Sequence, residues 1–296
     1  MRKLLAAAVC GLALSACAVA NNGYSTPALW KVSDADNSVY LLGSFHALQK
    51  SDYPLSPAVN AAYADAEVLM FEISPEEMLS PDLGLSMQKA ARIPNGKSLA
   101  DSIPNEQWLQ VQAWLKANPG IPEALIRQSK PWFVALVISQ IEMQKLGYTG
   151  EQGLDRFFMT EAGKNRKPTR GLEAAASQVQ LFDGMSDDVQ RQFLAESLKP
   201  ASEMTSELTA MHKAWRKGDV ATLEKITVKQ MRREYPSLYR SINVDRNRAW
   251  IPQIRQFLDQ ERRDDALVVV GTLHLLGSDG LVQGLKAQGF RVQRIK

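Results

Sequence analysis

Residues 266–270 read Ala-Leu-Val-Val-Val with no polar alternation, and the run stops at Gly271. That is the pattern of a strand buried on both faces, as in a parallel sheet covered by helices. A second apolar strand, 38–42, also ends at a glycine, Gly43. In each copy the glycine is followed by a small hydroxyl residue (Ser44, Thr272), an apolar residue (Phe45, Leu273) and a histidine (His46, His274). The chain has three histidines, and two of them stand at equivalent points of this Gly-x-x-His repeat. If the two strands are neighbours, about 4.8 Å apart, both imidazoles emerge at the carboxyl edge of the sheet, where open α/β sheets bind ligands.

The rest of the pattern predicts the frame around these strands. Strand 28–32, a turn at 34–37 and strand 38–42 form a hairpin. Ser56 caps a helix from Pro57 to about 66, and strand 68–73 follows, so that Glu72 reaches the same edge as His46. Helical spacing dominates 81–147, with segments at 83–91, 106–117 and 122–146. The apolar run 131–138 is too short to span a membrane and reads as a buried core helix. Helix 154–163 opens at Asp155. Strand 167–173 ends in Glu173 and leads into helix 174–181. Ser186 caps a helical stretch that continues to about 218 and resumes over 219–233. Residues 243–248 lead into an amphipathic helix at 249–262. Helix 281–288 and strand 290–295 close the chain. His212, among charged neighbours on a helix, is expected at the surface. The fold class is α/β, with a mixed, largely parallel central sheet, flanking helices and a large helical insertion.

Length and composition agree with this frame, because 296 residues with 45% hydrophobic and 23% charged are enough for a full core. Residues 1–20 have the charge, apolar stretch and small-residue end of a bacterial secretory signal. Leu14, Ser15, Ala16 and Cys17 resemble a lipobox, which would leave Cys17 lipidated; cleavage after Ala20 is the competing reading. The expected organisation is a lipoprotein signal at 1–17, a tether at 18–27, and one α/β domain at 28–296 with helical insertions at about 81–150 and 185–245. The product is an exported protein, lipid-anchored in the envelope, or soluble in the periplasm if Cys17 is discarded.

Removing Arg2 and Lys3 with the leader takes the 35 basic residues to 33, against 32 acidic. That balance argues against a nucleic-acid partner. No Walker loop, Gly-x-Gly-x-x-Gly, Gly-x-Ser-x-Gly or His-Glu-x-x-His occurs, which argues against nucleotides, dinucleotides, common serine hydrolases and zincins. Both cysteines, Cys10 and Cys17, lie in the leader. Any metal in the exported domain is therefore held by His, Asp or Glu.

With these residues assembled, the chain resembles the TraB/GumN family. The resemblance spans about 29–295 and rests on Gly43 to His46, Phe71 with Glu72, Gly153 with Asp155, Gly171 to Glu173 with Gln178, Arg246 with Asn247, and the run 270–281. It implies a fold related to the erythromycin-esterase, ChaN and Tiki groups. For some members it also implies divalent-metal-dependent proteolysis at the two histidines with a Glu and an Arg.

The expected chemistry is a peptidase-type metallohydrolase of the envelope acting on a peptide or protein. His46, Glu72 and His274 would hold zinc, manganese or cobalt, and the ion would lower the pKa of a bound water. Glu173 would be the general base, and Arg246 with Asn247 would stabilise the oxyanion. Gly43, Ser44, Gly271 and Thr272 would lie beside the ligands and orient them. On sequence alone the roles of Glu72 and Glu173 are interchangeable. A non-catalytic lipid-anchored binding or assembly protein, and a metal-free esterase-like hydrolase with His as base, stand as alternatives.

Overall fold

The computed structural model describes residues 23–94, 96–261 and 263–296. The signal-peptide and Cys17 expectations fall on residues 1–22, outside the described residues. Six strands form one sheet: β1 (Leu29–Ser33), β2 (Ser38–Ser44), β3 (Val68–Phe71), β4 (Thr169–Gly171), β5 (Ala266–Gly271) and β6 (Arg291–Ile295), in the order β4-β3-β5-β2-β1-β6. The four strands β2 to β5 are mutually parallel, whereas β1 runs antiparallel to β2 and to β6. The expected mixed, largely parallel sheet flanked by helices is therefore present. β5 is central and buried along its whole length, which explains its unbroken apolar sequence.

The β1–β2 hairpin turns on Asp34, whose carboxylate accepts from the backbone N–H groups of Asp36 and Asn37, a local bond typical of Asp in turns. β2 lies directly beside β5, with Gly43 opposite Val270 and Ser44 opposite Gly271. The two Gly-x-x-His copies are thus staggered by one residue. His46, Glu72, Glu173 and His274 all follow the carboxyl ends of parallel strands.

Helix boundaries depart from the expected ones where proline intervenes. The expected helix 122–146 is two helices, Glu123–Arg127 and Pro131–Lys145, because the residue before proline is pushed out of the α region; Lys130 sits at ψ 153°. Pro200 likewise divides the stretch after Ser186 into Asp187–Ser197 and Ala201–Arg216. The last long helix is Asp245–Gln260, entered through a π turn at Arg240–Val244. Residues 245–248, expected as a lead-in, are its first turn. β3 is also shorter than 68–73 and β4 shorter than 167–173. Where β4 ends the chains are close: a Cβ on Gly171 would meet the Ser74 nitrogen at 2.7 Å.

The main core joins the strands to Val59 and Ala62, to Leu154, Phe158 and Ala162, and to Trp250, Ile254 and Phe257. A second cluster, including Trp108, Val111, Val134, Ile138 and Leu194, unites helices from both expected insertions into a helical lobe. Of the expected tether, Ser25 and Thr26 belong to the fold: the Ser25 N–H donates to the Pro54 carbonyl and the Thr26 N–H to that of Arg216. Among the described residues no helix is long and apolar enough to cross a membrane.

Phe71, fully buried one residue before Glu72, is the test of this packing. Phe71→Ala is expected to lower the unfolding free energy by about 3–5 kcal/mol in urea titrations, with the far-ultraviolet spectrum kept. A loss below about 1 kcal/mol would show that β3 is not packed as described.

Candidate functional site

Glu72 and Glu173 lie side by side because their strands do. The Glu173 N–H donates to the Glu72 carbonyl at 2.9 Å, continuing the β3–β4 ladder past the strand ends. Burying two carboxylates together demands a cation. Arg246, from the first turn of the Asp245–Gln260 helix, supplies it. Its Nη2 donates to Glu72 Oε2 at 2.5 Å and to Glu173 Oε1 at 2.6 Å, and its Nε to Glu173 Oε2 at 3.0 Å. Nη1 donates to the Ile242 carbonyl and to His274 Nε2, at 3.2 and 3.1 Å. Every N–H of the guanidinium therefore has an acceptor. Its planar face lies 4.6 Å from the centre of the Trp250 ring, a favourable cation–π position.

These contacts separate the two glutamates. Glu72 Oε1 accepts the Gly271 N–H at 2.8 Å and faces both histidines, 3.7 Å from His46 Nε2 and 3.8 Å from His274 Nε2. Glu173 is instead the bidentate partner of Arg246, and Gln178 Nε2 also donates to it at 3.1 Å. In this arrangement both oxygens of Glu173, the expected general base, accept hydrogen bonds from Arg246. Arg246 is likewise committed to internal partners instead of facing a substrate oxyanion. Asn247, expected to assist there, is buried and holds His274: its Oδ1 accepts from His274 Nδ1 at 2.7 Å, and its Nδ2 donates to the carbonyls of His274 and Asp279.

Hydrogen-bond chemistry fixes the tautomers. A guanidinium only donates, so His274 Nε2 is an acceptor and the proton resides on Nδ1. Burial drives the pKa of His274 down to about 3, which makes this ring neutral. His46 Nδ1 lies 3.3 Å from Asp155 Oδ1, and since a carboxylate only accepts, Nδ1 carries a proton. Loss of surrounding water pulls the pKa of His46 down, but the Asp155 and Glu72 carboxylates outweigh it and raise the value to about 9. The His46 side chain is still 60% exposed, so water screens part of that pull. For Glu72, burial opposes ionisation. In the acid range where Glu72 takes up its proton His274 is charged too, and the charges of His274, His46 and Arg246 with the Gly271 N–H outweigh burial and hold the carboxyl far below its ordinary value.

The glycines and hydroxyls of the repeat serve close approach and anchoring. A Cβ on Gly271 would lie 3.1 Å from His46 Nε2 and 3.3 Å from Glu72 Oε1, and one on Gly43 would lie 2.7 Å from Thr272 Oγ1. Thr272 Oγ1 donates to the Ser44 carbonyl, which ties the strand ends together without touching a histidine. Ser44 Oγ donates to Asp155 Oδ1 and so acts on His46 indirectly. Asp155, expected only to open a helix, and Gln178, known only from the resemblance, are both in contact with the site.

His212 is a correction. It is buried, not at the surface, and its Nε2 lies 2.8 Å from Oδ1 of Asp52, which has no exposure, while Nδ1 meets the Tyr148 hydroxyl at 3.1 Å. This cluster supports the loop that carries His46, since the Gln49 N–H donates to Asp52 Oδ2. Leu208, His212 and Trp215 share one helical face, and all three are buried. That spacing was the available signal.

His46, Glu72, Asp155 and Gln178 line a cleft of about 590 Å³, together with Met78, Gln140, Glu151 and Arg156. A tetrahedral ion with ligands at about 2.0–2.2 Å sets its donors about 3.3–3.6 Å apart. Among the described residues no group of three carboxylates or imidazoles already stands at coordination spacing. By chemistry the donors His46 Nε2, Glu72 Oε1 and His274 Nε2 suit a divalent ion; Glu72 Oε1 stands a few tenths of an ångström farther from each histidine than that spacing, at 3.7 and 3.8 Å, and Arg246 Nη1 holds His274 Nε2.

The sequence profile of the TraB/PrgY/gumN family matches residues 28–294. The "Uncharacterized protein YbaP" of Escherichia coli (strain K12) is 25% identical over 269 residues, covering 91% of this chain and 96% of its own length. The protein of the same name from Shigella flexneri matches to the same extent. No solved structure matches.

The Asp52 cluster gives a pH test. Burial pushes Asp52 up, but the His212 hydrogen bond, the Gln49 N–H and the charges of His212 and Arg216 outweigh it and hold the carboxyl below its ordinary value. A depressed carboxylate contributes stability that is complete above its unfolded pKa, about 3.9, and is lost as pH falls through the folded value. Asp52→Asn is expected to cost roughly 1–3 kcal/mol in urea unfolding at neutral pH, and the gap from wild type is expected to narrow in acid below the unfolded pKa. An equal gap at both pH values would contradict this.

Proposed function

The chain belongs to the TraB/PrgY/gumN family, and from that premise we propose that it is a divalent-metal-dependent hydrolase of the cell envelope that cleaves a peptide or protein. The supporting observation is the shared orientation of two imidazoles. Each commits Nδ1–H to an oxygen, of Asp155 or of Asn247, and turns Nε2 toward the same oxygen of Glu72. An outer partner on the far nitrogen is the usual arrangement of metal-ligating histidine.

In this reading His46, Glu72 and His274 hold zinc, manganese or cobalt. When bound, the ion supplies a water of lowered pKa and polarises the carbonyl under attack. Asp155 and Asn247 fix the two rings. Glu173, itself bonded by Gln178, holds Arg246, and the cleft beside His46 admits the chain to be cut. Because His46 carries a proton at neutral pH in this arrangement, binding the ion releases that proton. The protein is exported, and lipid on Cys17 anchors it in the envelope; cleavage after Ala20 instead would leave it soluble in the periplasm.

A second reading, hydrolysis without metal, is favoured by the exposed His46 paired with Asp155. There His46 Nε2 takes a proton from water and Asp155 Oδ1 steadies the imidazolium.

Metal content and cleavage of a peptide library by the purified protein distinguish the two. The proposal expects about one ion per chain in wild type, loss of the ion in His46→Ala and His274→Ala, and cleavage that stops with chelator and returns with the metal. Cleavage that survives chelation, requires His46 and rises as pH passes about 9 would establish the metal-free reading instead.

A further inference from the structure

Neutral imidazole offers one lone pair, and in His274 it lies on Nε2, because Nδ1–H is committed to Asn247. Arg246 Nη1 occupies that lone pair at 3.1 Å. The lone pair serves either a hydrogen bond or a metal ion. His274 therefore enters a coordination sphere only when this contact breaks. Arg246 blocks neither of the other two ligands at the atom that faces the ion. Arg246 bonds Glu72 through Oε2, whereas Oε1 faces the histidines, and His46 Nε2 accepts no hydrogen bond among the described residues.

We infer that Arg246 is the site's own cation, a lock that competes with the divalent ion for His274 and sets how tightly metal binds. The inference rests on the metal reading above. Without metal, the guanidinium satisfies the buried Glu72 and Glu173 and lets the empty site fold. When metal arrives, one N–H is freed on Nη1 while Nη2 and Nε keep both carboxylates. That freed donor stands beside His274 and is available to a substrate oxygen, so the oxyanion-stabilising role that the ligand-free structure denies to Arg246 returns only in the loaded site. The π turn Arg240–Val244 ends two residues before Arg246 and supplies the Ile242 carbonyl that keeps Nη1 in place. Such turns interrupt regular helix pairing and recur at functional sites.

The test is zinc and manganese binding to the full chain by competition with a fluorescent chelator. Arg246→Met removes the lock but leaves two buried carboxylates unpaired, and it is expected to melt lower than wild type without metal. The double variant Arg246→Met/Glu173→Gln removes one charge of each sign, so the net local charge is unchanged and a single buried carboxylate, Glu72, remains with the lock gone. It is expected to bind roughly tenfold to a hundredfold tighter than wild type, the span of one charged hydrogen bond. Adding His274→Ala to it is expected to cancel the gain. Binding no tighter than wild type would overturn the lock while leaving the metal reading intact, whereas a gain that persists without His274 would overturn both the lock and His274 as a ligand. No binding by wild type or by the folded double variant would overturn the metal reading and the lock with it.

Discussion

Two carboxylates brought together out of water are tolerable only with a cation between them, and that constraint organises this protein. β3 and β4 deliver Glu72 and Glu173 to adjacent points with their backbones hydrogen-bonded. Arg246 bridges them, pairs with both oxygens of Glu173, and stacks on Trp250. A lysine would not serve, since its point charge lacks the fork that grips one carboxylate bidentately while reaching a second. The constraint extends outward from there. Arg246 needs a helix that starts at Asp245, that helix needs the π turn before it, and its next residue, Asn247, sets the tautomer of His274.

The two Gly-x-x-His segments are alike in sequence and unlike in place. The one-residue stagger between β2 and β5 accompanies this difference: His274 is buried in a 3-10 turn, while His46 is mostly exposed at the cleft. The buried ring is held neutral and rigid. The exposed one is tuned by Asp155 and lines the cleft. A repeat that looks symmetrical thus builds a site with a fixed back and an open front.

Much of this was legible in the chain. Apolar strands ending at glycines placed both histidines at one sheet edge, and the strand-end positions of Glu72 and Glu173 follow from the same βα logic. What escaped depended on contacts between distant segments or on a helix start. Asp155 reads as an ordinary helix-opening acid until the fold brings it to His46, 109 positions away in the chain. Asn247 reads as a loop residue until the helix is found to begin at Asp245. The partner assignments of Glu173 and Arg246 could not be read, because bidentate pairing is a matter of ångströms and not of spacing. His212 was hidden by its charged neighbours, Lys213 and Arg216, although Leu208 and Trp215 mark its face as buried.

The central claim is that His46 Nε2, Glu72 Oε1 and His274 Nε2 form one ligand set that Arg246 closes in the absence of metal. The most direct measurement is an anomalous difference map from crystals of the protein grown with and without zinc. The account predicts a single strong peak among those three atoms, with Arg246 Nη1 withdrawn from His274 Nε2 and still bonded through Nη2 to Glu72. Zinc bound elsewhere, or a map without a peak while Arg246 remains on His274, would contradict it.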